Sequence, residues 1–227
     1  MDRLERESIS AKPFLRWAGG KSWLIKYLAN IKYSKYRSYH EPFLGGGSTF
    51  FYLQPKGLAY LSDLNPDLIE TYRAIKDDAK GVIKVLENFS NTEKEYYKIR
   101  DREYTTLVQR AARFIYLNQT SFNGIYRVNL KGVYNVPYGF RTKKFLDRQN
   151  LLDAQRALKG ATIETKDLFQ ISKKIKRNDL VFLDPPYTVS HNNNGFIKYN
   201  EKIFSLEDQV RLSQLISNIK KKGNGNL

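Results

Sequence analysis

The chain has 227 residues, no cysteine and a formal net charge of +16. This length suits one large domain or a core domain with an insert, and the lack of cysteine excludes disulfides and cysteine-based metal sites. The charged N-terminus and the lack of a long apolar run predict a cytoplasmic protein with no signal peptide and no membrane span. The basic excess favours a polyanionic partner such as nucleic acid, although a solvated basic surface has the same composition.

Apolar runs alternate with helical patterns, which is typical of an α/β sheet protein. Four strands are predicted, at residues 38–43, 58–63, 161–167 and 179–184. The last three end in Asp63, Asp167 and Asp184, and Asn65 and Pro66 predict a helix start after the second strand. Because ligands bind beyond the carboxyl ends of parallel strands, these recurring acids predict a site at that edge.

Residues 84–150 interrupt the alternation and predict an insert of helices and a β-hairpin, the latter over residues 121–140. The core domain is then formed by residues 1–83 and 151–227. The last predicted helix carries an apolar stripe formed by Leu206, Val210, Leu212, Leu215, Ile216 and Ile219.

Gly45, Gly46 and Gly47 follow the first strand and open a helix, so a ligand can approach the backbone closely. Asp63 ends the next strand, which is the position of an acid that binds ribose hydroxyls. Phe50 stands where a nicotinamide-cofactor fingerprint needs a further glycine. The sequence therefore predicts a single-nucleoside ligand rather than a dinucleotide.

The upstream stretch "FLRWAGGKSWL" opens another helix with Gly19, Gly20 and Lys21. Backbone N–H groups and the Lys21 ammonium suit a carboxylate or phosphate there. Trp17 is compatible with either this site or the core.

Asp184, Pro185, Pro186 and Tyr187 close the last strand, and the prolines direct the chain out of the sheet along a rigid path. The carboxylate then accepts one N–H of an amino group on a flat base, the Pro185 carbonyl accepts the other, and the tyrosine ring stacks on the base. Both contacts make the nitrogen lone pair more available to an electrophile held in line, without a metal or a covalent enzyme intermediate. A plain Asp-Pro turn is the less favoured alternative.

Five stretches together resemble the Dam-type (D12 class) site-specific DNA adenine-N6 methyltransferases. They are "FLRWAGGK", "EPFLGGGSTFF", "LSDLNPDLI", "RFIYLNQTSFNGIYRVNLKGVYNVPYG" and "VFLDPPY", in the family's order across nearly the whole chain. The resemblance implies a Rossmann-like sheet, an S-adenosyl-L-methionine cofactor and a flipped adenine in double-stranded DNA, commonly within GATC. A restriction endonuclease acting on the same site is a further implied partner.

The resemblance assigns roles residue by residue. Its catalytic positions are Asp184, Pro185 and Tyr187. Its cofactor-binding positions are Trp17, Lys21, Phe43, Gly45, Gly47, Asp63, Asp167 and Asp184. Its DNA-contacting positions are Arg16, Phe122, Asn123, Ile125, Arg127 and Pro137. Arg127 is expected to reach a guanine edge, and Phe122 to wedge into the base stack where the family often has tyrosine. Arg16 stands where the family usually has lysine, whose hydrogen-bond geometry differs.

The family's sheet continues beyond the helix that ends near Lys221. The chain is therefore expected to lack the family's C-terminal strands, so that Phe182 and Leu183 border an open sheet edge with unpaired backbone groups. Two alternatives stay open: a truncated, inactive DNA-binding relative, and an N-methyltransferase that acts on RNA or a protein amide.

Overall fold

The computed structural model describes residues 11–18, 24, 27, 28, 31, 35–129, 131–186 and 206–223, with the side chains of the last helix over 207–217. Its elements are β1 (Ser38–Glu41), α1 (Ser48–Leu53), β2 (Leu58–Asp63), α2 (Pro66–Leu86), α3 (Glu93–Asp101), α4 (Leu107–Thr120), α5 (Arg148–Leu158), β3 (Ala161–Thr165), α6 (Leu168–Ile171), β4 (Leu180–Val181) and α7 (Leu206–Gly223). None of these helices combines the length and apolarity needed to cross a membrane, as far as the described residues extend.

The strands form a parallel sheet in the order β3-β2-β1-β4. All four predicted strands are present, and the predicted α/β fold is confirmed. β2 has the predicted bounds, whereas β1 ends at Glu41 because Pro42 has no N–H to donate to a neighbouring strand. β4 is the outermost described strand on its side of the sheet, and its regular pairing covers only Leu180 and Val181.

Helix α2 covers one face of the sheet and contacts β3, α4 and α5. It begins where the sequence predicts, because the Asn65 side chain accepts a hydrogen bond from the Leu68 N–H at 3.1 Å and Pro66 occupies the first turn. Tyr72 is fully buried on this helix, and its ring centroid lies 5.0 Å from that of Phe14. Aromatic side chains thus pack among the aliphatic residues of the main core.

The helices that follow α2 pack against it and do not form a separate unit: α2 contacts both α4 and α5. The predicted domain boundaries, after residues 83 and 150, both fall inside helices, α2 and α5. The division of the chain into a core and an insert stays a prediction.

Buried phenols fasten the hairpin region to α3 and α4. The Tyr96 hydroxyl donates to the Val136 carbonyl at 2.8 Å, and the Tyr138 hydroxyl donates to the Asn91 carbonyl at 3.1 Å. Each of these bonds satisfies a backbone carbonyl that regular secondary structure leaves without a partner. The hairpin therefore has a rigid base.

Helix α7 packs on a second, smaller apolar cluster through Leu212, with Leu215 and Ile216 beside it. The predicted stripe is wrong at Val210, which is 58% exposed because the helix turns its 212–216 side toward the protein. The side chains of the other two predicted positions, Leu206 and Ile219, lie outside the described residues.

Candidate active site

Acidic residues follow all four strands at their carboxyl ends. Asp63 is the last residue of β2 and Glu41 the last residue of β1, while Asp167 and Asp184 lie shortly beyond β3 and β4. The strand order therefore places the four carboxylates in one row along this edge. The sequence predicts three of them, Asp63, Asp167 and Asp184, and Glu41 is the fourth.

Two of these carboxylates share a face of the sheet. Glu41 pairs with Leu61, and paired residues of parallel strands point to the same side. Because side chains alternate along a strand, Asp63 points to that side as well.

Asp184 joins the same face. The Phe182 N–H donates to the His40 carbonyl at 2.9 Å, so the pairing of β4 with β1 continues past Val181. Leu180 pairs with Tyr39 and therefore points to the same face of the sheet as Tyr39 and Glu41. Phe182 and Asp184 are two and four residues beyond Leu180, so they point to this face as well, and Phe182 packs against the main core there. The Asp184 charge acts on Glu41, which agrees with this position.

The glycine loop is fastened to the end of β2. The Gly45 N–H donates to Asp63 Oδ2 at 3.0 Å, and the Leu44 N–H donates to the Ser62 carbonyl at 2.9 Å. Gly45 and Gly47 have φ of 48° and 67°, a region that favours glycine. The predicted turn thus needs glycine for its backbone and lies directly over the row of acids.

Asp63 connects this loop to the start of helix α2 through its two carboxylate oxygens. Its second oxygen accepts a hydrogen bond from the Asn65 N–H at 3.0 Å. Burial raises the pKa of Asp63, and the hydrogen bonds from Asn65, Gly45 and Leu64 N–H groups oppose the rise. These three bonds occupy three of the roughly four acceptor positions of the carboxylate, so one remains for a hydroxyl group, and the role in holding the loop is compatible with the predicted ribose-binding role.

Trp17 lies against the glycine loop. A Cβ atom on Gly45 would be 2.7 Å from its indole ring, so a larger residue does not fit there. The indole also stacks on Tyr126 with 5.8 Å between ring centroids, and Tyr126 donates to Asp67 at 2.8 Å. Trp17 therefore connects the loop to the hairpin region. Lys21, predicted beside it, lies outside the described residues.

Asp167 caps helix α6. Its carboxylate accepts a hydrogen bond from the Gln170 N–H at 2.7 Å, and the Gln170 side chain accepts from the Asp167 N–H at 3.1 Å. Phe43 lies near this helix in the cluster around Leu168. Both predicted cofactor positions thus have a structural role at the same edge.

Pro185 is described and half-buried, whereas Tyr187 lies outside the described residues. The predicted stacking of Tyr187 on a base therefore stays a prediction. The described backbone does leave the sheet after Phe182, as the two prolines require.

The chain from residue 121 to 140 doubles back on itself in an antiparallel sense. Isolated bridges join Ser121 to Tyr138 and Val128 to Tyr134. The predicted DNA-contacting positions on it that are exposed are Phe122, Asn123, Arg127 and Pro137, while Ile125 is half-buried. The segment presents these side chains without forming regular strands.

Arg127 folds along the hairpin. Its Nε donates to Asn135 Oδ1 at 2.9 Å, and a terminal nitrogen donates to the Asn135 carbonyl at 3.2 Å. Both partners are exposed and belong to the same hairpin. Another acceptor can replace them at little cost, since exposed hydrogen bonds exchange readily with other partners.

Arg16 lies over the start of the hairpin. A Cβ atom on Gly124 would come within 2.6 Å of its Nε, and the Asn118 amide donates to both the Arg16 and Gly124 carbonyls. Burial and the neighbouring Arg141 lower the pKa of Arg16. One terminal nitrogen of each of these two arginines is buried without a hydrogen-bond partner among the described residues.

The family model of the D12 class N6 adenine-specific DNA methyltransferases matches residues 17–226. The chain belongs to this family. The predicted family is thereby confirmed, and this methyltransferase acts on adenine in DNA.

Curated relatives agree with the family. The type II methyltransferase M1.LlaDCHI of Lactococcus lactis subsp. cremoris is 36% identical over 234 residues, which cover 98% of this chain and 82% of that protein. The type II methyltransferase M.MjaIII of Methanocaldococcus jannaschii is 34% identical, with 95% and 82% covered. The DNA adenine methylase of Haemophilus influenzae is 31% identical, with 97% and 81% covered.

The structure adds Glu41 to the site of the methyltransferase, although the sequence did not predict it as a site residue. It is 2% exposed, accepts a hydrogen bond from the Tyr39 hydroxyl at 2.7 Å, and accepts another from the Phe50 N–H. Burial raises the pKa of Glu41 to about 8, these two bonds lower it, and Asp184 raises it. Near neutral pH the group is therefore largely protonated. The sequence feature that could have identified Glu41 is its position at the end of a strand, which it shares with the three predicted acids.

Proposed function

We propose that the chain transfers a methyl group from S-adenosyl-L-methionine to N6 of a flipped adenine within the duplex sequence GATC. The observation that carries this proposal is the shared face of Glu41, Asp63 and Asp184 beneath the glycine loop. The exposed, basic hairpin beside it supports a duplex substrate.

The described residues fit the proposed cofactor. Gly45 and Gly47 are buried and shape the tight loop over the acids, with Trp17 against Gly45 and Tyr72 against Gly47. Asp63 keeps one acceptor position for a ribose hydroxyl. The acidic row suits a cation, and S-adenosyl-L-methionine supplies an electrophilic methyl group on a positively charged sulfur. We assign Trp17, Phe43 and Asp167 to the same ligand, with Lys21 from the preceding segment.

In the proposed mechanism, the chain orients the amino group. The Asp184 carboxylate accepts one N6–H and the Pro185 carbonyl accepts the other, which makes the nitrogen lone pair more available. Methyl transfer leaves an excess proton on N6, and Asp184 is the acceptor beside it. Because Glu41 is neutral near pH 7, it adds no second full charge next to Asp184.

We assign target reading to the hairpin. Arg127 hydrogen bonds to a guanine edge, Phe122 enters the base stack, and Asn123, Ile125 and Pro137 line the contact, with Arg16 at a further guanine. The exposure of Phe122 and Arg127 supports these roles. Because two relatives are named type II methyltransferases, we also propose a cognate restriction endonuclease that this methylation blocks.

The experiment is incubation of the purified chain with unmethylated duplex DNA and labelled S-adenosyl-L-methionine, followed by mapping of methylated adenines. We expect label at N6 of the GATC adenine and none on RNA of the same sequence. Label at another adenine site refutes the GATC target but not adenine methylation of DNA. Label on RNA refutes duplex DNA as the specific substrate. No binding of S-adenosyl-L-methionine in calorimetry, together with retained DNA binding, indicates the non-catalytic module.

A further inference from the structure

Phe140 points away from the protein where the hairpin pattern places an inward side chain. Tyr134, Val136 and Tyr138 are buried at alternate positions along this part of the chain. Continued alternation puts residue 140 on the same inward side. Its ring is instead 71% exposed, the most exposed large apolar side chain in the described part of the chain.

The reversal comes from the backbone. Phe140 has φ of 50°, which is an uncommon and strained conformation for a bulky residue. The preceding Gly139 is wedged against the other hairpin segment, because a Cβ atom there would lie 2.5 Å from the Ser121 carbonyl oxygen and 2.8 Å from the Phe122 nitrogen. The fold therefore holds Phe140 in a conformation that its own residue type disfavours.

The exposed ring has a firm support. Its edge packs against Tyr138 with 4.9 Å between ring centroids and an interplanar angle of 65°, and Tyr138 packs in turn against Tyr96 at 5.4 Å. The ring keeps most of its surface free for a flat partner, while its orientation is fixed from behind.

The surroundings of the ring are basic. Arg141 follows directly, Lys143 and Lys144 are exposed just beyond, and Phe122 lies across the hairpin with 54% of its surface exposed. Aromatic rings set among cations match the alternation of bases and phosphates in nucleic acid. An apolar protein partner is less suited to this surface, because the three cations would lose water without gaining counter-charges.

We propose that Phe140 is a DNA-contacting residue whose ring inserts between base steps of the duplex, as a second aromatic contact beside Phe122. This inference rests on the hairpin being the DNA-reading element of the proposed function. It gives a role to a strained, exposed phenylalanine that is not among the predicted DNA-contacting residues.

The test measures cofactor-free binding of a fluorescein-labelled GATC duplex by fluorescence anisotropy for three variants. Phe140→Gly adopts the same φ without strain but has no ring, and we expect about tenfold weaker binding. Phe140→Tyr retains the ring and binds like the parent chain. Val210→Ala shortens an exposed apolar side chain on α7, away from the hairpin, and leaves binding unchanged.

Two further readouts separate stacking from a structural role. The melting temperature of Phe140→Gly stays within about 2 °C of the parent chain, and the slope of log K against log salt is unchanged because no phosphate contact is lost. Parent-like binding of Phe140→Gly overturns the proposal, and so does a fall in melting temperature that accompanies the loss of binding. Since no methyl transfer is measured, these outcomes are independent of whether the parent chain methylates GATC.

Discussion

The carboxyl edge of the sheet and the hairpin use polar groups in opposite ways. At the edge, Asp63 and Glu41 receive hydrogen bonds from backbone N–H groups or a buried phenol. On the hairpin, Arg127 bonds to exposed atoms of its own segment, and Phe140 keeps most of its ring in solvent. One region is fixed before a ligand arrives, whereas the other offers side chains whose present contacts are easily exchanged.

This difference teaches which property each region contributes. A reaction that depends on the direction of a lone pair needs groups held in place, and buried bonds to backbone donors provide that. A surface that binds a long polyanion needs accessible groups, and the rigid support beneath the hairpin keeps them oriented. The predictions below change one region at a time.

The largest effect is expected for Asp184→Ala. Loss of the carboxylate removes an acceptor for N6–H, so we expect methyl transfer to fall by about 10²–10³-fold in single-turnover assays. Duplex binding, measured by anisotropy, stays within about twofold because Asp184 belongs to the edge and not to the hairpin. Simultaneous loss of transfer and DNA binding would contradict the separation of the two regions.

The sequence predicted these regions unequally well. β2 was predictable to the residue because Gly57 precedes it and Asp63, Asn65 and Pro66 follow it with local turn and cap chemistry. The burial of Glu41 was not, because it depends on Tyr39 and on helix α1 folding over the end of β1.

The same limit holds on the hairpin. The alternation of Tyr134, Val136 and Tyr138 is visible in the sequence. The outward turn of Phe140 depends on the contact of Gly139 with Ser121, which lies on the other side of the hairpin. Local chemistry thus predicts elements and strand ends, whereas groups set by contacts between distant segments have to be found in the structure.

The second-largest effect is expected for Glu41→Gln, which changes how the free energy of unfolding depends on pH. The folded pKa of Glu41 is about 8, above the value of 4.5 for a free carboxyl group, so the folded state binds more protons between these pH values. The free energy of unfolding of the parent chain therefore falls as pH rises from 5 to 8, on the order of a few kcal/mol. Glutamine does not titrate, so the variant loses this part of the slope in urea unfolding experiments.

The matched control for this experiment is Glu103→Gln, which changes an exposed carboxylate between α3 and α4. It should retain the parent slope between pH 5 and 8. An equal slope in the Glu41→Gln variant would show that Glu41 is ionised in the folded protein, with Tyr39 and Phe50 as its stabilising donors.

The third effect is expected for Arg127→Ala, which reduces the discrimination between target sequences. Loss of a bidentate contact to guanine costs about 1–3 kcal/mol of discrimination at one base pair. We expect transfer to GATC to fall while transfer to a site changed at that base pair is nearly unaffected, in competition assays with both duplexes. Lys131→Ala, at the exposed hairpin tip, serves as the control for a loss of charge alone. Equal losses of Arg127→Ala on both duplexes would place Arg127 at a phosphate.

The smallest effect separates the two roles of Asp167, which caps α6 and is proposed to contact the cofactor. Asp167→Ala loses the bond to the Gln170 N–H, so we expect about 1 kcal/mol lower stability together with weaker binding of S-adenosyl-L-methionine in calorimetry. Asp167→Ser keeps a good helix cap but shortens the side chain, so stability should be preserved while cofactor binding weakens. If the serine variant binds the cofactor like the parent chain, Asp167 acts only as a cap, and the ligand-binding part of the edge ends at Asp63.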